Sequence, residues 1–150
     1  MSEAPEALRR VLTQVNANAR YRQEPVGRDC WQTPDELRAS GFGDCEDFAI
    51  AYWAALRSAD IDARLVCVAF EQQSEAHMVC QAGDWTLDVL ADTPYRMSER
   101  DDLVAIVYAL GEADGKPMAW LNGSRPLHGF WRWTDVWTRI QADSEQEATP

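Results

Sequence analysis

Gly43-Asp44-Cys45-Glu46-Asp47-Phe48-Ala49, continued by Ile50 to Leu56, is a glycine turn that runs directly into a helix-forming segment. Asp44 followed three residues later by Asp47 resembles a capping box with Asp in the usual Glu place, so Cys45 is expected near the first helical position. A thiol there feels the positive end of the helix dipole, which lowers its pKa and favours the nucleophilic thiolate. The three carboxylates around it act the other way, because negative neighbours oppose a further negative charge. A nearby cation would reconcile the two, as would carboxylates pointing away from the sulfur. The stretch reads as a catalytic cysteine, and the competing reading is a buried, inert cysteine behind an ordinary helix cap.

What lies downstream favours catalysis. Ala76-His77-Met78-Val79-Cys80 sets one of two histidines in an apolar, strand-like run, and Trp85-Thr86-Leu87-Asp88-Val89-Leu90 sets an acid inside a second one. Ala82-Gly83-Asp84 supplies a turn between them, so the runs are predicted to be adjacent antiparallel strands. Such a hairpin brings His77 and Asp88 together, facing the open end of the Cys45 helix. In a Cys-His-Asp set the thiol attacks, the imidazole carries the proton and the acid orients the imidazole.

These stretches resemble the bacterial transglutaminase-like cysteine proteinases of the LapG type. Val15-Asn16 and Tyr21 match an N-terminal element, and Trp31-Gln32-Thr33-Pro34-Asp35-Glu36-Leu37 matches a Trp-x-Thr-Pro-x-Glu helix start. Gly43 to Ala49 matches the nucleophile motif, Ala76 to Val79 the His motif, and Leu87-Asp88 the Asp motif. The resemblance extends from about Val15 to Trp120. It implies an α+β fold of the papain-like, transglutaminase type, with helices packed on an antiparallel sheet and the nucleophile at a helix N-terminus. It also implies a triad of Cys45, His77 and Asp88, and calcium held by Asp44 and Glu46 with Asp47 as a helper. Closely spaced acids suit the hard Ca²⁺ ion, and the alternative is that they are caps and solvated charges. The family further implies cleavage of a large cell-surface adhesin near its membrane anchor. Two features depart from its pattern. Val89 follows Asp88 where members carry Asn, and Met1 to Arg10 holds acids, a Pro and two Arg with no apolar segment. As given, the chain is expected to be cytoplasmic; with a leader beyond these residues it would be periplasmic.

A chain of 150 residues that is 46% hydrophobic can bury a substantial core. Residues 1–142 are expected to form one domain, with 143–150 a disordered acidic tail. No stretch is apolar for long enough to span a bilayer. The formal charge of −11 argues against nucleic acid, which demands a basic patch, and leans toward a basic partner. Of the four cysteines, Cys30, Cys45, Cys67 and Cys80, a free Cys45 leaves an odd number, and no Cys-x-x-Cys spacing occurs, so a mostly reduced chain is expected.

Ala4, Leu8, Val11, Leu12 and Val15 recur at helical spacing, and Arg20 to Cys30 reads as loop. Thr33 caps a short helix with Pro34 at its first position, ending near Gly41. The Cys45 helix is predicted to reach Ser58, its core stripe being Phe48, Tyr52 and Leu56. Ala63 to Phe70 reads as a central strand and Leu103 to Leu110 as another. Asp114-Gly115 is a hairpin turn into Met118 to Leu121, and Thr134 to Ile140 a last helix. His128 is assigned a surface or packing role. Most of Trp120, Trp131, Trp133 and Trp137 are expected in the core, with one or two lining a substrate groove, and Trp31 is core before it is a cleft wall or an oxyanion support. The function expected is a cysteine endopeptidase acting on a protein or peptide. The alternatives are an acyltransferase using the same triad, and an inactive calcium- or peptide-binding module.

Overall fold

The computed structural model describes residues 3–23, 31–121 and 128–148. Cys30, and the end of the loop expected before it, lie outside the described residues. Helix α1 spans Glu6–Asn18, α2 Pro34–Ser40 and α3 Cys45–Ser58. Strands β3 (Arg64–Phe70), β4 (His77–Ala82), β5 (Trp85–Leu87), β6 (Tyr95–Arg96), β7 (Leu103–Ala113) and β8 (Lys116–Leu121) form one antiparallel sheet in the order β6-β5-β4-β3-β7-β8. A second, two-stranded sheet joins β1 (Arg20–Tyr21) to β2 (Phe42–Gly43) in parallel. The last helix, α4, spans His128–Ala148.

The short helix α2 forms where local chemistry dictates it. Thr33 and Glu36 complete a capping box, Pro34 opens the helix, and Gly41 closes it in the left-handed conformation. The stripe on α3 then decides the core. Phe48, Tyr52, Trp53 and Leu56 are buried and pack with Leu8 and Leu12 of α1 and Trp133 of α4. Strand alternation supplies the other wall: Leu65 and Cys67 of β3 and Met78 and Cys80 of β4 join this cluster. Their neighbours Val66, Val68, Phe70 and Val79 form a smaller cluster with Met97 on the opposite face.

Several expectations need correction. Asp88 is not inside a strand: β5 ends at Leu87, and Asp88 opens a turn whose Ala91 N–H donates to the Asp88 carbonyl at 3.0 Å. Strand β7 continues three residues past Leu110, because the Asp114-Gly115 turn, with φ of 54° and 72°, holds the hairpin in register to its tip. Helix α4 starts at His128 rather than Thr134 and continues beyond Ile140, where Ala, Glu and Gln are good helix formers. Of the C-terminal tryptophans, expected mostly in the core, Trp133 is buried and Trp131 is 79% exposed on α4.

Candidate active site

The turn into α3 is built by two acids that hold backbone. Asp47 N–H donates to Asp44 Oδ1 at 3.3 Å, and Asp44 N–H donates to Asp47 Oδ2 at 3.1 Å. The Asp47 carboxylate also accepts the Gln32 N–H at 2.8 Å and the Gln32 side-chain amide at 3.1 Å. Gly43 precedes them because a Cβ there would lie 2.6 Å from Leu37 Cδ1 and 2.9 Å from Asp47 Cβ. Residues 42–43 are further fixed by Arg22 N–H, which donates to the Gly43 carbonyl at 2.7 Å. Cys45 is thereby fixed at the first helical position, where a backbone N–H has no intrahelical acceptor.

The half-buried sulfur meets β4 at its start. Met78 N–H donates to Cys45 Sγ at 3.5 Å, and the thiol donates to Glu46 Oε2 at 3.7 Å. One residue before Met78 stands His77, whose Nε2 lies 2.6 Å from Asp88 Oδ1, both side chains being buried. Among the described residues Asp88 is the hydrogen-bond partner of the His77 ring, which leaves Nδ1 without one. Asp88 accepts two further bonds, from Leu90 N–H to Oδ1 at 2.9 Å and from the Tyr95 hydroxyl to Oδ2 at 2.8 Å. Burial alone would raise the Asp88 pKa, but the bond and charge of His77, with the Leu90 and Tyr95 donors, hold it below the ordinary carboxylate value. Asp88 is therefore an ionised acceptor, and since a carboxylate can only accept, Nε2–H is the donor of their bond.

Two of the neighbouring carboxylates oppose a Cys45 thiolate, as expected, but burial outweighs them and the influence that lowers the pKa comes from β4. Burial pushes its thiol far above the ordinary value, the Glu46 and Asp44 charges add to that, and Met78 N–H pulls it down. Burial and then the contact with Glu46 push Asp44 up to about 7. Burial, followed by the Asp44 charge, pushes Asp47 up to about 7 as well. Tyr21, 41% exposed on β1, borders the same cluster: burial and then the charges of Cys45, Asp44, Glu46 and Asp88 raise its pKa.

The structure thus gathers Cys45, His77, Asp88, Asp44 and Glu46. It does not gather the expected metal trio. Both Asp47 oxygens accept from Gln32 or the Asp44 backbone, and the residue is 3% exposed. Among the described residues no three His, Cys, Asp or Glu side chains form a group that could hold a metal ion. Asp44 and Glu46 nevertheless stand close enough for their carboxylates to interact. Trp31 packs in the core, its carbonyl accepting from Arg139 at 2.6 Å. Cys45, Cys67 and Cys80 are free thiols. Sequence reading missed Tyr95, which carries no local signal because it reaches Asp88 across the β5–β6 pairing. It also missed the task of Gln32, although the Trp-Gln-Thr-Pro run containing it was singled out.

Comparison with known proteins agrees with this architecture. Residues 1–109 match the family described as the Transglutaminase-like superfamily. Solved structures of LapG from Legionella pneumophila are similar: the EGTA-treated form is 27% identical with a TM-score of 0.73, covering 89% of this chain and 77% of that one. The calcium-bound form is 28% identical with a TM-score of 0.71, covering 89% and 78%. No curated protein sequence matches significantly.

Proposed function

This chain belongs to the transglutaminase-like superfamily, and from that premise we propose that it is a cysteine endopeptidase in which Cys45, His77 and Asp88 act as a triad. The observation that carries this reading is the buried His77–Asp88 pair, 2.6 Å apart, one residue from the backbone N–H that meets the Cys45 sulfur. Asp88 holds Nε2–H, so Nδ1 is the nitrogen that takes the thiol proton as sulfur attacks the peptide carbonyl. The carbon–nitrogen bond breaks as that proton passes to the leaving amine. Water then adds to the thioester, with Nδ1 as base, and releases the acid and the free thiol. Cys45 N–H, at the open helix start, suits stabilisation of the carbonyl oxygen as it becomes an anion. Hydrogen bonds of this type are commonly long without substrate and tighten in the complex.

Calcium fits two of the three acids first considered. Asp44 and Glu46, like-charged and adjacent, would hold the ion, and Asp47 would not. Bound Ca²⁺ would supply positive charge beside the thiol and lift two of the influences that raise its pKa. The calcium-bound form of the similar Legionella protein supports testing this.

Membership in the superfamily also favours a second reading, in which an amine rather than water takes the acyl group. Incubating the protein with a peptide library, with and without a primary amine, separates the two by mass spectrometry. Hydrolysis yields two fragments whose masses sum to the peptide plus water, whereas transfer yields an amine conjugate. Cleavage should vanish in Cys45→Ala and His77→Ala. Cleavage that survives either substitution overturns the triad.

A further inference from the structure

Asp88 is 2% exposed, and its two oxygens are treated differently by the fold. Oδ1 accepts from both His77 Nε2 and Leu90 N–H, whereas the described donor to Oδ2 is the Tyr95 hydroxyl. The residue after the acid, Val89, is apolar and packs against the core, so no side-chain donor comes from that side. A buried carboxylate oxygen without a partner is costly, and the carboxylate would turn to find one. Any such turn moves Oδ1 away from His77.

We propose that Tyr95 is a positioning residue of this site: its hydroxyl holds Asp88 Oδ2, and through Asp88 it fixes the orientation and tautomer of His77. The inference rests on the proposed roles of His77 and Asp88. Two features show that Tyr95 is placed for the task. Its Cα pairs with Thr86 in the β5–β6 ladder, two residues before Asp88, so backbone register sets its reach. Its ring is held by Arg100, whose guanidinium lies 5.1 Å from the Tyr95 centroid and 4.2 Å from that of Phe70. Arg100 is itself fixed by two bonds of 2.8 Å to Asp102. Phe70 in turn packs against the His77 ring, with centroids 6.3 Å apart. One arginine thus steadies both the ring behind the imidazole and the phenol behind the acid.

The test uses the full chain, the best-cleaved peptide of the library, and ¹⁵N-labelled histidine. With two histidines in the sequence, the imidazole spectrum is simple to assign. In the wild type, His77 should show a predominant Nε2–H form with a low-field proton bonded to Asp88. Tyr95→Phe keeps the ring and its stacking but removes the donor. It should mix the two tautomers, broaden that proton through exchange, and lower kcat about tenfold to a hundredfold with KM within about twofold, as slight misplacement of a reacting group does. A wild-type kcat and a pure Nε2–H form in Tyr95→Phe would overturn the proposal. If that variant does not fold, Arg100→Met leaves the hydroxyl but frees the ring, and should lower kcat about threefold with partial tautomer mixing. Wild-type values for Arg100→Met would then overturn it. The tautomer needs no substrate to be read. Should His77→Ala cleave normally, the triad fails while the spectrum still decides the role of Tyr95.

Discussion

Cys45 is placed at a helix start that favours a thiolate and among acids that oppose one. With the thiol raised by burial, Glu46 and Asp44, the neutral form predominates near pH 7, so in the proposed triad His77 would have to remove the proton. At neutral pH iodoacetamide should still modify Cys45 faster than Cys67 or Cys80. Those two are 7% and 0% exposed, and burial pushes Cys67 up to about 11. Glu46→Gln removes a negative neighbour and should accelerate Cys45 labelling severalfold in EGTA, while His77→Ala should slow it. Millimolar Ca²⁺ should accelerate the wild type and leave Glu46→Gln nearly unaffected. Equal labelling of the three thiols, or indifference to both Glu46→Gln and calcium, would remove the electrostatic account. Asp88 gives a pH test of opposite sign. Its folded pKa lies below the unfolded value near 3.9, so the stability it contributes is complete above about pH 4 and is lost as pH falls through the folded pKa. Melting curves of wild type and Asp88→Asn should differ at pH 6 and converge as the solution is taken well below pH 4.

At the scale of single elements, the turn from β2 into α3 is where sequence and geometry agree most closely. The Thr33, Pro34 and Gly41 signals bounded α2, and the Asp44-x-x-Asp47 box set the start of α3, because caps are local and their partners lie three or four residues away. The hold of Asp47 on Gln32, fifteen residues upstream, leaves no local signal, because a carboxylate's distant partners are invisible in sequence. For the same reason the two-residue β1–β2 pairing, made by backbone alone, left no pattern in the side chains. Trp85 to Leu90 alternates suitably for a strand, yet the Asp88 carboxylate, which receives Leu90 N–H, makes Asp88 a turn residue. The structural role of Asp47 predicts a clear contrast. Asp47→Ala strands three N–H groups and breaks the box, so it should destabilise by about 2–4 kcal/mol in urea unfolding, with or without calcium. Glu46→Ala should cost little in EGTA. Gly43→Ala, which drives a methyl group into Leu37 and Asp47, should cost about 1–3 kcal/mol. A neutral Asp47→Ala would mean that the cap is not what holds Cys45 in place.

For the whole molecule, one sheet presents two unequal faces, and the larger core depends on α4 closing over α3 and the β7–β8 hairpin. No helix among the described residues is long and apolar enough to cross a membrane. Composition marks most of the tryptophans of the last third as core, yet only helical phase decides which rings turn inward. Trp133, Val136 and Ile140 recur at i, i+3 and i+7 and are buried, whereas Trp131, two positions before Trp133, is carried to the outer side. Trp133 carries most of the joint: its ring meets Trp53 of α3 edge-on with centroids 4.8 Å apart, and its Nε1–H donates to the Gly111 carbonyl of β7 at 2.8 Å. Trp137 adds a bond of 2.9 Å to Glu112, which also pairs with Arg57 of α3 at 2.7 Å. Trp133→Ala should therefore lower stability by about 3–5 kcal/mol, the range for deleting a large buried aromatic. It should also loosen the support of α3, so that Cys45 reactivity falls along with the melting temperature. Trp131→Ala, at an exposed position with no such contacts, should change stability by no more than about 0.5 kcal/mol. Equal losses from the two substitutions would show that α4 is held by its composition and length rather than by this one joint, and that α3 does not depend on it.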